Sequence, residues 1–511
     1  MRHLFKDLIV TIAALLLGSL GVLLTGCTTP SFLVSLPPLP PQDINELNQR
    51  AMEVVKKSPI RSNTVIGVHH IKLSEHKLFD EFFPLVSSDP ATAPPVVFAL
   101  SERTSVMVVT DRLRTTDIGL SWVGHIQNNP RSSVLFLADT KTRTISGEIR
   151  IDGKIYEIRP GESGSYAVFE IEPSRFPPEH SFEWHETPSG SHVPRSLFPS
   201  AETTGTMGIF RPVIDVMVLY TQEAIDADAD PNHNIAKQIC DAITQVKESF
   251  FDSGVTPLLR LVHHERIDFP ESGNPETDAR NLRDSTFEKS KSAHGNRSTY
   301  GADLVSLWIG DKVADKGDIC GAAQAIIQPG ESGSGGFAFS VVRRNCAIAN
   351  LSFAHELGHL MGANHDRFGP GADTWPGHNY GYIRPDKNWK TIMAVDRVER
   401  MDCPLVSSTN PDGTVTTKHS CVRVKYWSNP ARTYPPPPSA GDAMGCPNGT
   451  PTCGGPADNA STLNGNADAV SNFTPTATPI TIRDLGYVSC NVINTGGDVT
   501  PPVAPANIRI Q

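Results

Sequence analysis

The sequence of 511 residues predicts a layered α/β domain in its C-terminal part, preceded by a mainly β region. Its length exceeds what one hydrophobic core accommodates and suggests two or three domains. From residue 206 onwards, strand patterns alternate with helical patterns, which is typical of α/β layers. Between residues 46 and 205, short alternating stretches are separated by turn signals, which indicates strands. We therefore divide the chain into residues 1–27, 28–45, 46–205, 206–475 and 476–511.

The first 27 residues have the layout of an export signal. Arg2 and Lys6 precede an apolar run, Leu8–Leu24, which ends in small residues before Cys27. An uncleaved membrane anchor is the alternative, although the run is short for a hydrocarbon core of roughly 30 Å. The segment LLTGC resembles the bacterial lipobox, whose cysteine is lipidated and becomes the mature N-terminus. This resemblance predicts an exported lipoprotein, attached to the outer membrane or the cell surface through Cys27.

The next two segments differ in composition. Residues 28–45 are rich in proline, serine and threonine, and we predict an extended tether. In residues 46–205, Asp152-Gly153 lies between alternating stretches, which predicts a β-hairpin, and SYAVFEIEP supplies a further strand. His69 and His70 have no partner at metal-ligand spacing, so we expect them at a solvated surface.

The segment 206–475 starts with a buried strand, Val213–Tyr220. Apolar residues then recur at helical spacing from Ile235 to Phe250, which predicts a helix that packs on a sheet. The sequence continues with a strand over 258–269, a helix over 277–293 and a strand over 301–311. This order of elements predicts the α/β domain.

The chain has nine cysteines and a net charge of -10. Without Cys27 eight remain, and an even number in an exported protein indicates disulfides. Proximity favours Cys320–Cys346, Cys403–Cys421 and Cys446–Cys453, and leaves Cys240 and Cys490 open. A zinc ribbon is disfavoured because no two of these cysteines form a C-x-x-C. The negative charge and the lack of a clustered basic run argue against nucleic acid as a partner.

The segment HELGHLMGANHD, starting at His355, contains three histidines and a glutamate. On a helix, His355 and His359 lie on one face, so both imidazoles can reach one ion. Gly362 accepts the backbone conformation that ends a helix, which lets His365 return to the same ion. Core histidines are ordinarily packing residues, but this combined spacing is rare by chance.

Three nitrogen ligands with an open fourth position indicate a catalytic zinc site, because structural zinc is closed by four protein ligands. Zinc lowers the pKa of its bound water to about 7 and polarises a carbonyl oxygen. Glu356 lies one position around the helix from His355. There it can act as a general base towards that water rather than as a ligand.

The pattern H-E-x-x-H-x-x-G-x-x-H resembles that of the metzincin metallopeptidases. Asp366, directly after the third histidine, is similar to the reprolysin/adamalysin-like branch, where this carboxylate supports the site. Thr391-Ile392-Met393 resembles the Met-turn, with Met393 beneath the zinc. YWSNP and ADNASTLNGNADAVSNF resemble segments of bacterial reprolysin-like and peptidyl-Asp metallopeptidases, in which the second is a terminal helix.

This resemblance implies a metzincin-like α/β (α+β) catalytic domain with a twisted mixed sheet and a zinc-binding helix, preceded by a mainly β prodomain over 46–205. It implies a zinc endopeptidase with one Zn²⁺, three histidine ligands and protein or peptide substrates; nothing in the sequence supports calcium. Val395 stands where some metzincins carry a tyrosine as a fifth ligand. Residues 28–239 contain no cysteine, so a prodomain here cannot silence zinc through a thiolate.

Substrate binding needs an edge strand, and DICGAAQAI (318–326) is the candidate. Basic residues near the expected specificity pocket favour an acidic residue directly after the scissile bond: Arg397, Arg400, Arg423 and Lys425. Two alternatives remain open: a zinc amidohydrolase acting on cell-wall peptides, and a non-catalytic binding lipoprotein with this fold. Cleavage near 200–212 would release the catalytic domain from the membrane. The simplest oligomeric state is a monomer, and we expect residues 476–511 to be a disordered tail.

Overall fold

The computed structural model describes residues 31–37, 40–88, 92–116, 119–161, 164–179, 211–228, 230, 233–312, 319–324, 334–367, 377–395, 403–409, 414–447 and 455–474. We call residues 31–179 the N-terminal region and residues 211–474 the C-terminal region. Cys27, the signal peptide, the cleavage segment up to residue 210 and the tail 476–511 lie outside the described residues. None of the helices in these ranges is long and apolar enough to cross a bilayer.

The N-terminal region is one nine-stranded sheet in the order β1-β3-β4-β5-β6-β7-β8-β9-β2. Its strands are β1 (Phe32–Leu33), β2 (Val65–Lys72), β3 (Val96–Ala99), β4 (Ser105–Thr116), β5 (Gly119–Ile126), β6 (Asn129–Asp139), β7 (Thr144–Ile151), β8 (Lys154–Pro160) and β9 (Ser165–Ile171). Its helices are α1 (Pro41–Lys56), α2 (Pro59–Thr64) and α3 (Phe83–Ser88), the last preceded by a π-helical turn, Lys77–Phe82. One face buries a cluster that includes Trp122, Phe136 and Phe98.

The mainly β prediction for this region agrees with the sheet, and the hairpin at Asp152-Gly153 is confirmed. Both turn residues have positive φ, 51° and 80°, as a two-residue hairpin turn requires. The tether prediction is wrong where the structure describes it, because α1 starts at Pro41, a position at which the fixed φ of proline favours helix entry. The surface prediction for His70 is also wrong. Its ring is 5% exposed and bonds to Asn48.

The C-terminal region is built on a five-stranded sheet in the order β11-β10-β12-β14-β13. Its strands are β10 (Val213–Tyr220), β11 (Leu258–Arg266), β12 (Leu304–Ile309), β13 (Gly321–Ala323) and β14 (Phe339–Arg343). All neighbours are parallel except β13, which pairs antiparallel with β14 at the sheet edge. The edge-strand prediction for 318–326 is therefore confirmed over Gly321–Ala323.

Helices cover both faces of this sheet, as expected for α/β layers. They are α4 (Gln222–Asp226), α5 (Ile235–Ser253), α6 (Pro275–Arg283), α7 (Lys291–Tyr300), α8 (Arg344–Ala347), α9 (Ser352–Leu360) and α10 (Asn459–Val470). Val216 and Val218 of β10 pack with α5, α9 and α10, whereas Met217 faces α6 and α7. The helix predicted over 277–293 is interrupted by the segment 284–290, which contains a short 3₁₀ turn, Glu288–Ser290. The terminal helix is confirmed as α10.

Short strands follow the histidine segment. They are β15 (Asn364–Asp366), β16 (Tyr380–Gly381), β17 (Ile383–Arg384), β18 (Trp389–Lys390), β19 (Leu405–Thr409), β20 (Val415–His419), β21 (Val422–Arg423), β22 (Asn429–Tyr434) and β23 (Asp442–Met444). The disulfides Cys320–Cys346 and Cys403–Cys421 are confirmed. Cys240 and Cys446 are also disulfide-bonded. Cys453 and Cys490 lie outside the described residues, so the pairing predicted for Cys446 stays a prediction.

The two regions meet through buried charges. Arg159 on β8 lies 2.8 Å from Asp228, and both side chains are at most 3% exposed. Arg112 on β4 pairs with Glu248 on α5. Breaking such a pair leaves an uncompensated buried charge, which costs about 3–5 kcal/mol. These pairs therefore join the N-terminal region and the C-terminal region through buried contacts.

Candidate active site

His355 and His359 lie one turn apart on α9, and both side chains are fully buried. The helix begins at Ser352, not near Ile348 as predicted. The reason is Leu351, whose left-handed φ of 61° interrupts the helical path between α8 and α9. The prediction that both imidazoles share one helical face does not depend on this earlier turn.

A chain reversal brings the third histidine back to the helix. α9 ends at Leu360, and Gly362 has a φ of 96°, a conformation that side chains disfavour. Ala363 donates its N–H to the carbonyl of Gly358 over 2.9 Å and closes the helix end. The next strand, β15, contains His365, so the predicted glycine turn is present.

The Nε2 atoms of the three histidines form a triangle whose sides are each 3.1 Å. Nδ1 of His355 lies 3.0 Å from the carbonyl of Ile392, and Nδ1 of His359 lies 2.8 Å from that of Ala363. A carbonyl only accepts, so these two Nδ1 atoms carry the proton and the Nε2 atoms are acceptors. Two lone pairs that face each other at this distance repel each other unless a cation or a proton lies between them.

Zinc fits this triangle. Zn–N distances of about 2.0–2.1 Å at tetrahedral angles place ligand nitrogens about 3.3 Å apart, close to the observed separation. Among the residues that the structure describes, this is the group of histidine, cysteine and carboxylate side chains that could hold a metal ion. His355, His359 and His365 are thus the residues that would hold the ion. Within the described residues, no fourth protein ligand belongs to this group.

Glu356 is fully buried beside the triangle. The backbone N–H of Ala323 approaches this carboxylate, but neither oxygen has a hydrogen bond of ordinary geometry within the described ranges. Burial raises the pKa of Glu356 well above its usual value, and repulsion from the Glu179 carboxylate raises this pKa further. Gly321 on β13 makes room for it, because a Cβ at Gly321 would lie 2.9 Å from Oε1 of Glu356.

Met393 lies beneath α9 in a tight turn and is fully buried. A Cβ at Gly358 would lie 2.6 Å from Sδ of Met393 and 2.6 Å from the ring of Trp427, so α9 packs directly on these two side chains. Asp366 accepts the N–H of Val395 at 3.2 Å, which ties the strand of the third histidine to this turn. The side chain at Val395 is apolar and offers no further ligand atom.

The predicted basic residues separate into different environments. Arg423 on β21 lies beside the Met393 turn, where its Nη2 donates to the carbonyl of Ala394 at 3.2 Å. Lys425 is buried close to Asp252, and burial lowers its pKa, but it lines the same cavity as Arg423. Arg397 and Arg400 lie outside the described residues.

No sequence pattern indicates Glu179, which pairs with Arg423. Asn350 and Ser352, both next to the start of α9, donate to the same carboxylate at 3.0 and 3.1 Å. These residues are far apart in sequence and have no spacing signal. The one hint in the sequence is that residues 28–239 contain no cysteine, so inhibition by a prodomain would need a contact other than a thiolate on zinc.

Residues 211–403 match the model of the metallo-peptidase family M12 (Reprolysin_5). The matched range contains the histidine triangle, so the C-terminal region is similar to the metallo-peptidases of this family at the residues that could hold a metal ion. The recognition made from the motif is confirmed.

Two curated relatives are both named peptidyl-Asp metalloendopeptidase. The protein of Xanthomonas campestris pv. campestris is 29% identical over 57% of this chain and 61% of its own length. That of Stenotrophomonas maltophilia (strain K279a) is 30% identical over 60% and 65%. The chain thus spans less than two thirds of either relative. A crystal structure of metalloproteinase-II from Bacteroides fragilis covers 54% of this chain and 82% of its own at 11% identity, with a TM-score of 0.30, too low to support an argument.

Proposed function

We propose that this protein is a zinc-dependent endopeptidase with Glu356 as its general base. The observation that carries the proposal is the triangle of three Nε2 atoms, 3.1 Å apart, beside a buried carboxylate. The same arrangement would suit an amidohydrolase, but the names of the relatives favour protein substrates.

The residues divide the chemistry among them. Bound zinc supplies Lewis-acid chemistry, because it acidifies water and polarises a carbonyl oxygen. Glu356 accepts the proton of the attacking water and returns it to the leaving nitrogen. Burial excludes bulk water from this carboxylate.

The substrate backbone would add to the edge of the sheet along β13. Cys320 and Gln324 bond to β14, so alternation leaves the backbone groups of Gly321 and Ala323 on the outer edge. An extended peptide can bond to those groups as an additional strand. Because Gly321 touches Glu356, a peptide on this edge passes next to the general base.

An acidic residue directly after the scissile bond is the preferred substrate feature in this proposal. Arg423 is 9% exposed, lies beside the Met393 turn and already holds a carboxylate, that of Glu179. A buried guanidinium strongly favours a charged partner. The relatives' name, peptidyl-Asp metalloendopeptidase, agrees with this preference.

Metal analysis combined with a cleavage assay tests the catalytic proposal. The full chain should contain one zinc and, at least after limited trypsin treatment, cleave casein. Glu356→Ala should keep the zinc but lose most of the rate, whereas Glu288→Ala, at an exposed carboxylate, should change neither. A zinc-free protein, or full activity in Glu356→Ala, would refute the proposal. Cleavage of peptidoglycan but not casein would favour the amidohydrolase.

Matched peptides test the specificity. A peptide with Asp after the scissile bond should be cleaved at least about tenfold faster than its Asn counterpart, the factor that about 1.4 kcal/mol provides. Arg423→Gln should remove this difference. An unchanged Asp preference in Arg423→Gln would show that other residues bind the acidic side chain.

The N-terminal sequence suggests export, and we propose residues 46–205 as a prodomain of a protein lipidated at Cys27. The disulfides agree with an oxidising compartment. Labelling with palmitate should mark the wild type but not Cys27→Ser. Cleavage near 200–212 would release the catalytic domain only once contacts such as Arg159–Asp228 also separate. Mature activity found solely in membranes, still joined to Cys27, would contradict release.

A further inference from the structure

The last described segment of the N-terminal region leaves its sheet and runs to the active site. After the 3₁₀ turn Pro173–Arg175, the chain continues through two prolines to Glu179. The carbonyl of Pro178 accepts the N–H of Cys320 at 2.7 Å, directly before β13. This segment therefore reaches the residue that precedes β13, next to the edge along which we propose that substrate binds.

Glu179 ends this segment with a buried carboxylate, and the residue is 3% exposed. Its Oε1 accepts from Asn350, from Ser352 and from the guanidinium of Arg423. Its Oε2 is buried without a hydrogen-bond partner within the described ranges. One oxygen thus takes all the donors, and the other is left unsatisfied at a cost in free energy.

The partners of Glu179 belong to the active site. Ser352 is in the first turn of α9, three residues before His355. Arg423 also donates to the carbonyl of Ala394, the residue after Met393. An ion pair that served only to join the two regions would not need partners in the active site. The Arg159–Asp228 pair is an ion pair that joins the two regions.

We propose that Glu179 is an internal substitute for the acidic side chain of a substrate, so that the intact chain is latent. This inference rests on the proposed function. Glu179 takes the guanidinium of Arg423 that a substrate carboxylate needs, and Pro178 takes a backbone donor at the start of β13. The two prolines restrict the segment to extended conformations, which lowers the entropy cost of holding it there. Latency of this kind requires no cysteine.

The test compares Glu179→Gln and Glu179→Ala with the wild type in the full-length chain. Glu148→Gln is the matched control, because Glu148 is also a buried carboxylate between the regions, bonded to Gln245 at 2.9 Å. Initial rates on an Asp-containing peptide are measured while mass spectrometry shows the chain to be uncleaved. Thermal melting checks that each variant is folded.

Both Glu179 variants should start at least about tenfold faster than wild type and Glu148→Gln, because a lost charge-assisted contact changes an equilibrium by about that factor. A synthetic peptide of residues 174–182 should inhibit Glu179→Ala competitively. The same peptide with glutamine at position 179 should bind about tenfold more weakly.

Two failures are distinguishable. If the wild type becomes active after limited trypsin treatment but the uncleaved Glu179 variants are as slow as the uncleaved wild type, Glu179 is a structural residue and the inference is overturned. If Glu179→Ala is unfolded, the result for Glu179→Gln decides the test, because glutamine keeps the shape of the side chain. A wild type that stays inactive after trypsin treatment overturns the proposed function, and the inference with it.

Discussion

Substitution of Gly358 by alanine should disrupt the packing beneath the histidine helix. The new Cβ would lie 2.6 Å from Met393 Sδ and 2.6 Å from the ring of Trp427, whereas ordinary contacts are 3.4–4 Å. Both neighbours are fully buried, so neither can move into solvent. Overpacking of this kind costs about 1–3 kcal/mol. The alanine also gains about 1 kcal/mol of helix propensity, which hides part of that cost.

A matched substitution separates these two effects. Gly295 on α7 and Gly465 on α10 have nothing within 4 Å of an added Cβ, so alanine there should only stabilise the helix. We therefore expect the thermal midpoint of Gly358→Ala to lie about 2–12 °C below that of Gly295→Ala, at about 2–4 °C per kcal/mol.

Activity should fall more than stability suggests, because a shift of about 1 Å at a catalytic centre can cost about a hundredfold in rate. The assay is thermal denaturation together with peptide hydrolysis by all three variants. If Gly358→Ala were as stable and as active as Gly295→Ala, the proposed packing of α9 on Met393 would be wrong.

Three further substitutions test other parts of the structure. Gly321→Ala should push Glu356 aside, so we expect the peptidase rate to fall while zinc content stays near wild type; an unchanged rate would contradict this contact. Burial, aided by the charge of His69, lowers the pKa of His70 from 6.5 to about 4. The folded state therefore loses stability as the pH falls from about 6.5 through 4, and we expect the loss in the free energy of unfolding to be about 2–3 kcal/mol. The difference in thermal midpoint between wild type and His70→Gln should shrink over that range, and a constant difference would refute this. Removal of the Cys320–Cys346 bridge by a double serine substitution should cost about 3 kcal/mol, seen as a lower midpoint under oxidising conditions; an unchanged midpoint would contradict this estimate.

Elements with a strong local pattern could be predicted from the sequence. The strand Val213–Tyr220 has the predicted bounds, and the apolar stripe starting at Ile235 lies in α5. The histidine triangle could also be anticipated, because one helical turn and one glycine reversal are local features. Gly362 shows this most clearly, since its positive φ follows from its place in the motif.

Other features depend on contacts that no local pattern shows. The helix Pro41–Lys56 is hidden in a proline-rich stretch, although proline is compatible with the first turn of a helix. The pairing of Glu179 with Arg423 joins residues 244 positions apart, and it exists only because the two regions pack together. The burial of His70 likewise depends on α1, which the composition did not predict.

The central question is whether three imidazoles surround one zinc ion. Anomalous X-ray diffraction from crystals of the full chain, at energies on either side of the zinc absorption edge, answers it directly. We expect a single zinc peak within bonding distance of Nε2 of His355, His359 and His365. A zinc peak elsewhere in the molecule, or active protein with no peak at these three nitrogens, would contradict the proposed site.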